Sequence, residues 1–221
     1  MIRSKIVALR RMTNSEEDME FYYRTSTEML NVSNLTDHFL FVSFDEVKED
    51  LQCSMNDEED LTQIFCIMLG KTNVGLIYII PDVEKRTAEI QVLLSDDRYR
   101  QIGIGFDAIY AATKYAKEEL NLHSITFKIA SHNTQMVNAF RISQYAYEKL
   151  SNDGKLGIEI NEQVSKPDII FRKEFNSCCN VSDFYSFTFL LDVNGFPFEE
   201  FLKLSSGKMS KYMNQEGKVY L

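Results

Sequence analysis

The chain has 221 residues, 44% of them hydrophobic and 12% aromatic, with a formal net charge of −9. That length allows one large packed domain, or one domain with an appendage, and the acidic balance argues against nucleic acid as the main partner. No apolar run reaches the ~20 residues of a membrane span, and residues 1–11 are charged and lack a signal-peptide core, so a cytoplasmic protein is expected.

In chain order, residues 5–12 alternate weakly and predict a first strand. Ser15 precedes Glu16, Glu17 and Asp18, the order of an N-cap followed by a first helical turn where carboxylates suit the dipole. Met19, Tyr22 and Tyr23 form its expected inward face. Ser43-Phe44-Asp45-Glu46 has capping-box spacing and opens a second helix through Phe44, Val47 and Leu51. Between the helices, residues 30–42 are rich in Asn, Ser and Thr and have no period, so they read as a loop. The acidic run at 56–60 reads as a solvated turn.

Strands are predicted over 62–69, 74–80 and 87–95, divided by Gly70-Lys71-Thr72-Asn73 and by Pro81-Asp82. Turns this short imply an antiparallel meander. The last of these strands runs into Asp97-Arg98-Tyr99-Arg100-Gln101-Ile102-Gly103-Ile104-Gly105-Phe106. Phe106, Ile109, Tyr110, Thr113, Ala116 and Leu120 then share one face of a helix. Two glycines two apart at a helix start let backbone N–H groups point one way without Cβ obstruction. The positive end of the helix dipole adds to the field there, so the loop suits a phosphate or pyrophosphate. It is not a Walker A sequence, because no Gly-Lys-Ser/Thr follows, and it lacks the third glycine of the dinucleotide fingerprint.

Residues 124–130 predict a further strand, joined to the preceding one by a helical crossover and therefore parallel to it. Asn133 is placed to cap another helix with Met136, Val137 and Phe140. Residues 151–167 are polar and aperiodic, whereas 168–175 and 184–193 are β-rich and read as a closing hairpin. A short helix is expected after Gly195-Phe196-Pro197. Cys53, Cys66, Cys178 and Cys179 show no C-x-x-C spacing, and three histidines are few for a zinc site, so no metal is expected. Adjacent Cys178 and Cys179 read as free thiols, with a redox pair as the alternative.

Arg100-Gln101-Ile102-Gly103-Ile104-Gly105 resembles the Arg/Gln-x-x-Gly-x-Gly/Ala signature of the GNAT superfamily of acyl-CoA-dependent N-acyltransferases. The element order over about residues 3–193 resembles that fold as well. The resemblance implies an α+β protein with a GNAT-like mixed, mainly antiparallel twisted sheet of about seven strands flanked by helices. Residues 1–193 would form the acyltransferase domain, and 194–221 a short C-terminal extension packed on it. Acetyl-CoA is the implied cosubstrate. By resemblance, the backbone of Leu93, Leu94 and Ser95 pairs with its pantetheine arm. Arg100 and the amides of Gln101, Ile102, Gly103, Ile104, Gly105 and Phe106 hold its pyrophosphate, with Asn133 also at the cofactor. The thioester would lie in the gap where the third and fourth meander strands splay apart at a bulge, and residues 30–42 would border the acceptor.

Asn133 matches the opening of the family's second signature, but Phe140 stands where that signature has tyrosine, and Gln144-Tyr145 replace Gly-Phe. In many relatives the tyrosine protonates the departing thiolate. Phenylalanine has no proton to give, so the acid is Tyr147, Tyr110 or a water, or the thiolate leaves unassisted. Glu89 matches a position where some branches place a catalytic glutamate and is the leading base, with a rim residue as the alternative. Lys128, five positions before Asn133, matches another base position, but a lysine serves only if strongly desolvated. His132 offers a relay. The implied function is transfer of an acetyl group from acetyl-CoA to a primary amine of a small molecule, by direct attack in a ternary complex. The acceptor would be an amino sugar, polyamine, antibiotic or amino acid, with a protein N-terminus as a variant. A non-catalytic CoA-binding or partner-binding domain is the alternative. A monomer or homodimer is expected, with no nucleic-acid or membrane partner.

Overall fold

The computed structural model describes residues 1–28, 43–57, 59–100, 102–130, 133, 136, 160–163 and 186–192. The chain opens with β1 (Ile2–Arg3), β2 (Ala8–Arg11), α1 (Glu16–Ser26) and α2 (Phe44–Asn56). It continues through β3 (Gln63–Leu69), β4 (Thr72–Asp82), β5 (Thr87–Leu94), a 3-10 turn at Asp97–Tyr99 and α3 (Ile104–Glu118). It closes with β6 (Ser124–Ala130), β7 (Ile160–Gln163) and β8 (Ser186–Asp192). The strands form one sheet in the order β1-β2-β3-β4-β5-β6-β8-β7. β5 and β6 are its parallel pair, and the other neighbours are antiparallel. No helix among the described residues is long and apolar enough to cross a membrane.

The expected α+β architecture is present, with eight described strands rather than about seven. The stretch expected to be one strand over 5–12 is a hairpin, in which Ile2 and Arg3 fold back on Leu9 and Ala8. β7 lies inside the segment expected to be aperiodic. Its sequence, Ile-Asn-Glu-Gln, has too little alternation to mark a strand, and its pairing with Ser186–Phe189 of β8 defines it. The expected strand at 168–175 and the C-terminal extension lie outside the described residues. β4 continues through Pro81, which was expected to stop it. Pro81 lies beyond Ile79, the last β4 residue paired with β3, so the missing N–H removes no bond on that side.

Both expected caps form. The Ser15 hydroxyl accepts from the Asp18 amide at 3.3 Å, and Ser43 and Glu46 make a reciprocal capping box. Side-chain alternation divides the sheet between two cores. Ile77, Ile79, Ala88 and Ile90 pack with Ile104, Ala108, Ala111 and Ala112 of α3. Leu76 and Leu93 face the other way and pack with Met19 and Phe21 of α1 and Leu51 of α2. The buried face of α3 is rotated from the expected one. Its alanines lie against the sheet, while Phe106 and Tyr110 are half-buried on its flank. Alanine adds little to a hydrophobic pattern, yet it permits the close approach of helix and sheet.

One buried ion pair ties α1 to the sheet. Asp18, 2% exposed, accepts from Arg10 Nη1 and Nη2 at 2.9 and 2.6 Å, and from the Thr13 amide and hydroxyl at 2.9 and 2.7 Å. The Arg10 bonds come first in holding the Asp18 carboxyl down to about 2, against an ordinary 3.8. Burial pushes the nearby Cys66 thiol up to about 12, so it stays protonated. Arg10 is charged throughout the accessible pH range, so only the Asp18 end titrates. Because the folded value lies below the unfolded one, the stabilisation is complete above about pH 4 and is lost as pH falls through about 2. Asp18→Asn should therefore lower unfolding free energy by about 2 kcal/mol at pH 7 and by much less near pH 2, as read by urea titration.

Candidate active site

The site begins with a change of strand partners. β5 pairs with β4 along its whole length, from Thr87↔Asp82 to Leu94↔Gly75, without a break in register. On its other edge, β5 pairs with β6 only at Thr87↔Ser124, Ala88↔Ile125 and Glu89↔Thr126. β6 then stays with β8 as far as Ala130↔Ser186. Beyond Glu89 and Thr126 the two parallel strands therefore separate, and a wedge opens between them. A gap is present, but it lies between β5 and the strand after α3, and β5 carries no bulge in these pairings. The sheet's register shift lies elsewhere, between Ile67 and Met68 on β3.

The end of β5 differs from expectation at Ser95. Its N–H and hydroxyl both donate to the Val74 carbonyl, at 3.0 and 3.1 Å, so this amide faces β4 and not the wedge. Strand alternation then turns the backbone of Leu94 towards the wedge edge. The Leu94 carbonyl accepts from Arg100 Nη2 at 3.3 Å. Leu93 buries its side chain in the core under α1 and α2. Opposite these residues sits Gly75, where a Cβ would lie 2.4 Å from the Leu93 carbonyl oxygen. Only glycine allows the two strands to approach this closely.

The loop after β5 is anchored at several points. Asp96 accepts from the Arg98 amide at 3.0 Å and starts the turn, and Tyr99 is buried in the α3-side core. Arg100, with its side chain 15% exposed, meets Glu28 at 2.9 Å and Asp97 at 3.3 Å. Its guanidinium thus joins the loop to the end of α1. Gly103 has φ 90° and ψ −4°, a conformation that strains any residue with a Cβ, and it brings no side-chain cap to α3. The α3 N-terminus, with the positive end of its dipole, thus receives no side-chain cap from its N-cap residue. Ile104 is fully buried and Ile102 packs against the same core. A Cβ on Gly105 would meet Val92 and Leu94 side chains at 3.9 and 4.0 Å, ordinary contact distances, so the protein's own packing does not demand glycine there.

Asp107 fixes the helix start relative to the sheet edge. It is 2% exposed and accepts from the Ser4 hydroxyl at 2.7 Å, the Ile6 amide at 2.8 Å and the Val7 amide at 2.9 Å. The β1–β2 turn is thereby clamped to the first turn of α3, across about a hundred residues of chain.

Glu89 is half-buried at the point where the wedge opens, and it accepts from Gln91 Nε2 at 2.8 Å. Tyr78 lies directly opposite Gln91 on β4, and its ring meets Tyr22 of α1 edge-on at 6.1 Å between centroids. Burial pushes the Tyr78 hydroxyl well above its usual range. Asn133 Oδ1 accepts from the Met136 amide at 3.3 Å, the geometry of the cap expected for it. Lys128 lies opposite Thr188 in the β6–β8 register. Gln101, His132, Phe140, Gln144, Tyr145, Tyr147, Cys178, Cys179 and residues 30–42 lie outside the described residues. Among the described residues, no group of three or more His, Cys, Asp or Glu side chains could hold a metal ion.

Asp107, Gln91, Tyr78 and Gly75 were not singled out from the sequence. A glycine in mid-strand is itself a mark of close backbone approach and could have flagged Gly75. Asp107 looks like an ordinary acidic residue in a first helical turn, and only the long-range fold reveals its partners.

Comparison with known proteins places this geometry. The family model described as the acetyltransferase (GNAT) domain matches residues 7–142. The chain is similar in structure to spermidine N-acetyltransferase from Vibrio cholerae in complex with CoA and spermine. The TM-score is 0.64 and the identity 19%, over 89% of this chain and 98% of that one. It is also similar to the dodecameric structure of spermidine N-acetyltransferase from Vibrio cholerae in an intermediate state, with TM-score 0.60 and 19% identity over 85% and 94% of the two chains. At these identities the structural likeness concerns the fold.

Asp107→Ala would leave the buried amides of Ile6 and Val7 without their acceptor. Stability should fall by about 3 kcal/mol in urea titration, with faster amide exchange at Ile6 and Val7. Unchanged exchange there would show that the clamp holds nothing in place.

Proposed function

The chain belongs to the GNAT acetyltransferase family, and on that premise we propose that it transfers an acetyl group from acetyl-CoA to a primary amine of a small molecule, by direct attack in a ternary complex. The observation that carries this reading is the end of β5–β6 pairing at Glu89↔Thr126, just ahead of the glycine loop. It sets an unpaired strand edge, a carboxylate and a helix N-terminus in sequence along one path.

The residues fit acetyl-CoA. Gly103, left-handed and without a cap side chain, leaves room beside the α3 amides for a diphosphate. The β5 edge beyond Glu89 has backbone groups suited to an extended amide-bearing arm. When bound, acetyl-CoA supplies an activated acyl group on a thiol whose ordinary pKa is near 8.5. The amine must lose a proton before its lone pair can attack, and Glu89 takes that proton directly or through one water. A β5 amide at the wedge edge polarises the acyl carbonyl. Holding amine and thioester in one wedge converts a bimolecular reaction into a local one. Phe140 supplies no proton to the thiolate, so Tyr147, Tyr110 or water does so, or it departs unassisted.

A cationic acceptor fits the net charge of −9. The relatives named for spermidine, one of them bound to spermine, support a small amine as acceptor and put polyamines in the first test panel. Phe140 favours a second reading, a domain that binds CoA without transfer.

Thermal shift with acetyl-CoA, followed by thiol release over spermine, glucosamine and lysine, separates the two readings. A shift with turnover supports transfer, and a shift with no turnover on any amine supports the second reading. Gly103→Asp should abolish the acetyl-CoA shift while the chain stays folded by circular dichroism. Retained binding would remove the loop from the site.

Glu89→Gln keeps the shape of the side chain and removes its basicity. It should lower kcat by roughly 10²–10⁴-fold at pH 7, with acetyl-CoA binding unchanged. The loss should shrink towards pH 9, where more of the amine arrives neutral. Near-wild-type kcat from pH 6 to 9 would show that Glu89 is not the base.

A further inference from the structure

We propose that Gln91 is a positioning residue for transfer, its side-chain amide holding the Glu89 carboxylate at the mouth of the β5–β6 wedge. The inference rests on the reading that Glu89 takes the proton from the amine.

The two side chains stand two residues apart on one strand and so share a face. Gln91 Nε2 donates to Glu89 Oε1 at 2.8 Å. An ionised carboxylate only accepts, so the amide must present its nitrogen, and the bond has one sense. Glu89 needs such a tether. Its backbone is fixed, being the last residue of β5 with partners on both sides, Ile80 on β4 and Thr126 on β6. Its side chain still has several rotatable bonds at the edge of a widening gap. A base that must meet an amine within hydrogen-bond reach gains from losing that freedom before the substrate arrives.

Tyr78 on β4 stands directly across from Gln91, and the Tyr78 hydroxyl is engaged by Tyr22. Thr126, across from Glu89 on β6, gives its hydroxyl to the Ala88 carbonyl at 3.2 Å. Asp82, diagonal to Glu89 on β4, is held by Lys85 at 2.6 Å. Lys128 follows Thr126 by two positions on β6. A hydrogen bond donated to a carboxylate favours its ionised form, so loss of the donor has a sign that a pH profile reads.

The test uses acetyl-CoA with whichever of spermine, glucosamine and lysine turns over fastest, and compares pH profiles of kcat. The same amine in every assay cancels its own titration. Gln91→Leu keeps the volume and removes the donor. It should lower kcat about tenfold, leave KM for acetyl-CoA unchanged, and move the acidic limb to higher pH. Gln91→Glu sets a like charge beside Glu89 and should move that limb further. In a Glu89→Gln background, Gln91→Leu should cost nothing more. If Glu89→Gln is impaired but Gln91→Leu keeps the wild-type profile, the positioning role is overturned while the base assignment stands. If Gln91→Leu still lowers kcat in the Glu89→Gln background, the effect is structural and the inference fails. A wild-type chain with no turnover overturns the transfer reading and this inference with it.

Discussion

β5 keeps β4 beside it along its whole length, whereas β6 leaves its other edge after Glu89↔Thr126. β6 pairs with β8 from Ser124↔Asp192 to Ala130↔Ser186, and this fixes its direction beyond Thr126. β5 is held just as firmly by β4 as far as Leu94↔Gly75. Beyond Thr126 the two strands follow different neighbours, and strand twist adds to their separation, while β5 keeps an unbroken register with β4. On the proposed reading, the β5 edge beyond Glu89 is where an extended ligand would add to the ladder, a use of strand edges that proteins otherwise guard against.

The elements around the wedge are held by polar contacts at buried positions. Asp107 joins α3 to the β1–β2 turn, Asp18 and Arg10 join α1 to β2, and Arg100 and Glu28 join the glycine loop to the end of α1. The first and the last span elements distant in sequence, and the second joins neighbours eight residues apart. A buried carboxylate without its donors would cost more than its bonds contribute, so each contact fixes relative placement more than it adds to stability. The wedge sits between the two cores, and these three ties set the position of its walls.

Much of this architecture was legible in the sequence because it is local. Ser15, the Ser43–Glu46 box and the strand–glycine loop–helix order each act over a few residues and formed as read, whereas the meander formed with Thr72-Asn73 and Pro81-Asp82 inside β4 rather than in its turns. The family signature was legible by resemblance, as was a gap in the sheet, though it lies between β5 and β6. What escaped depends on distant pairing. β7 is a strand because β8 lies beside it, and the α3 face turned because alanines pack closer than a hydrophobic pattern suggests. Ser95 was expected to face a ligand, yet the register with Val74 turned its amide the other way. At the site itself, Glu89 could be picked out by position, whereas Gln91 is informative only once the two side chains are seen to touch.

On the proposed reading, the same contacts bear on how the glycine loop would attract a diphosphate. Arg100 is the basic residue of the signature, but Glu28 and Asp97 lie 2.9 and 3.3 Å from its guanidinium, and they offset its charge. On a chain of net charge −9, the general field also disfavours a diphosphate. The attraction must therefore come from fixed dipoles at short range. A single charge near a helix N-terminus gains about 0.3–1 kcal/mol when exposed, and up to about 2 when partly buried. Several converging amides are needed to reach useful affinity, so on that reading the geometry at Gly103 matters more than the charge at Arg100. Arg100 also acts mechanically. It bonds Glu28 and the Leu94 carbonyl at once, and so ties the residues just after α1 to the end of β5.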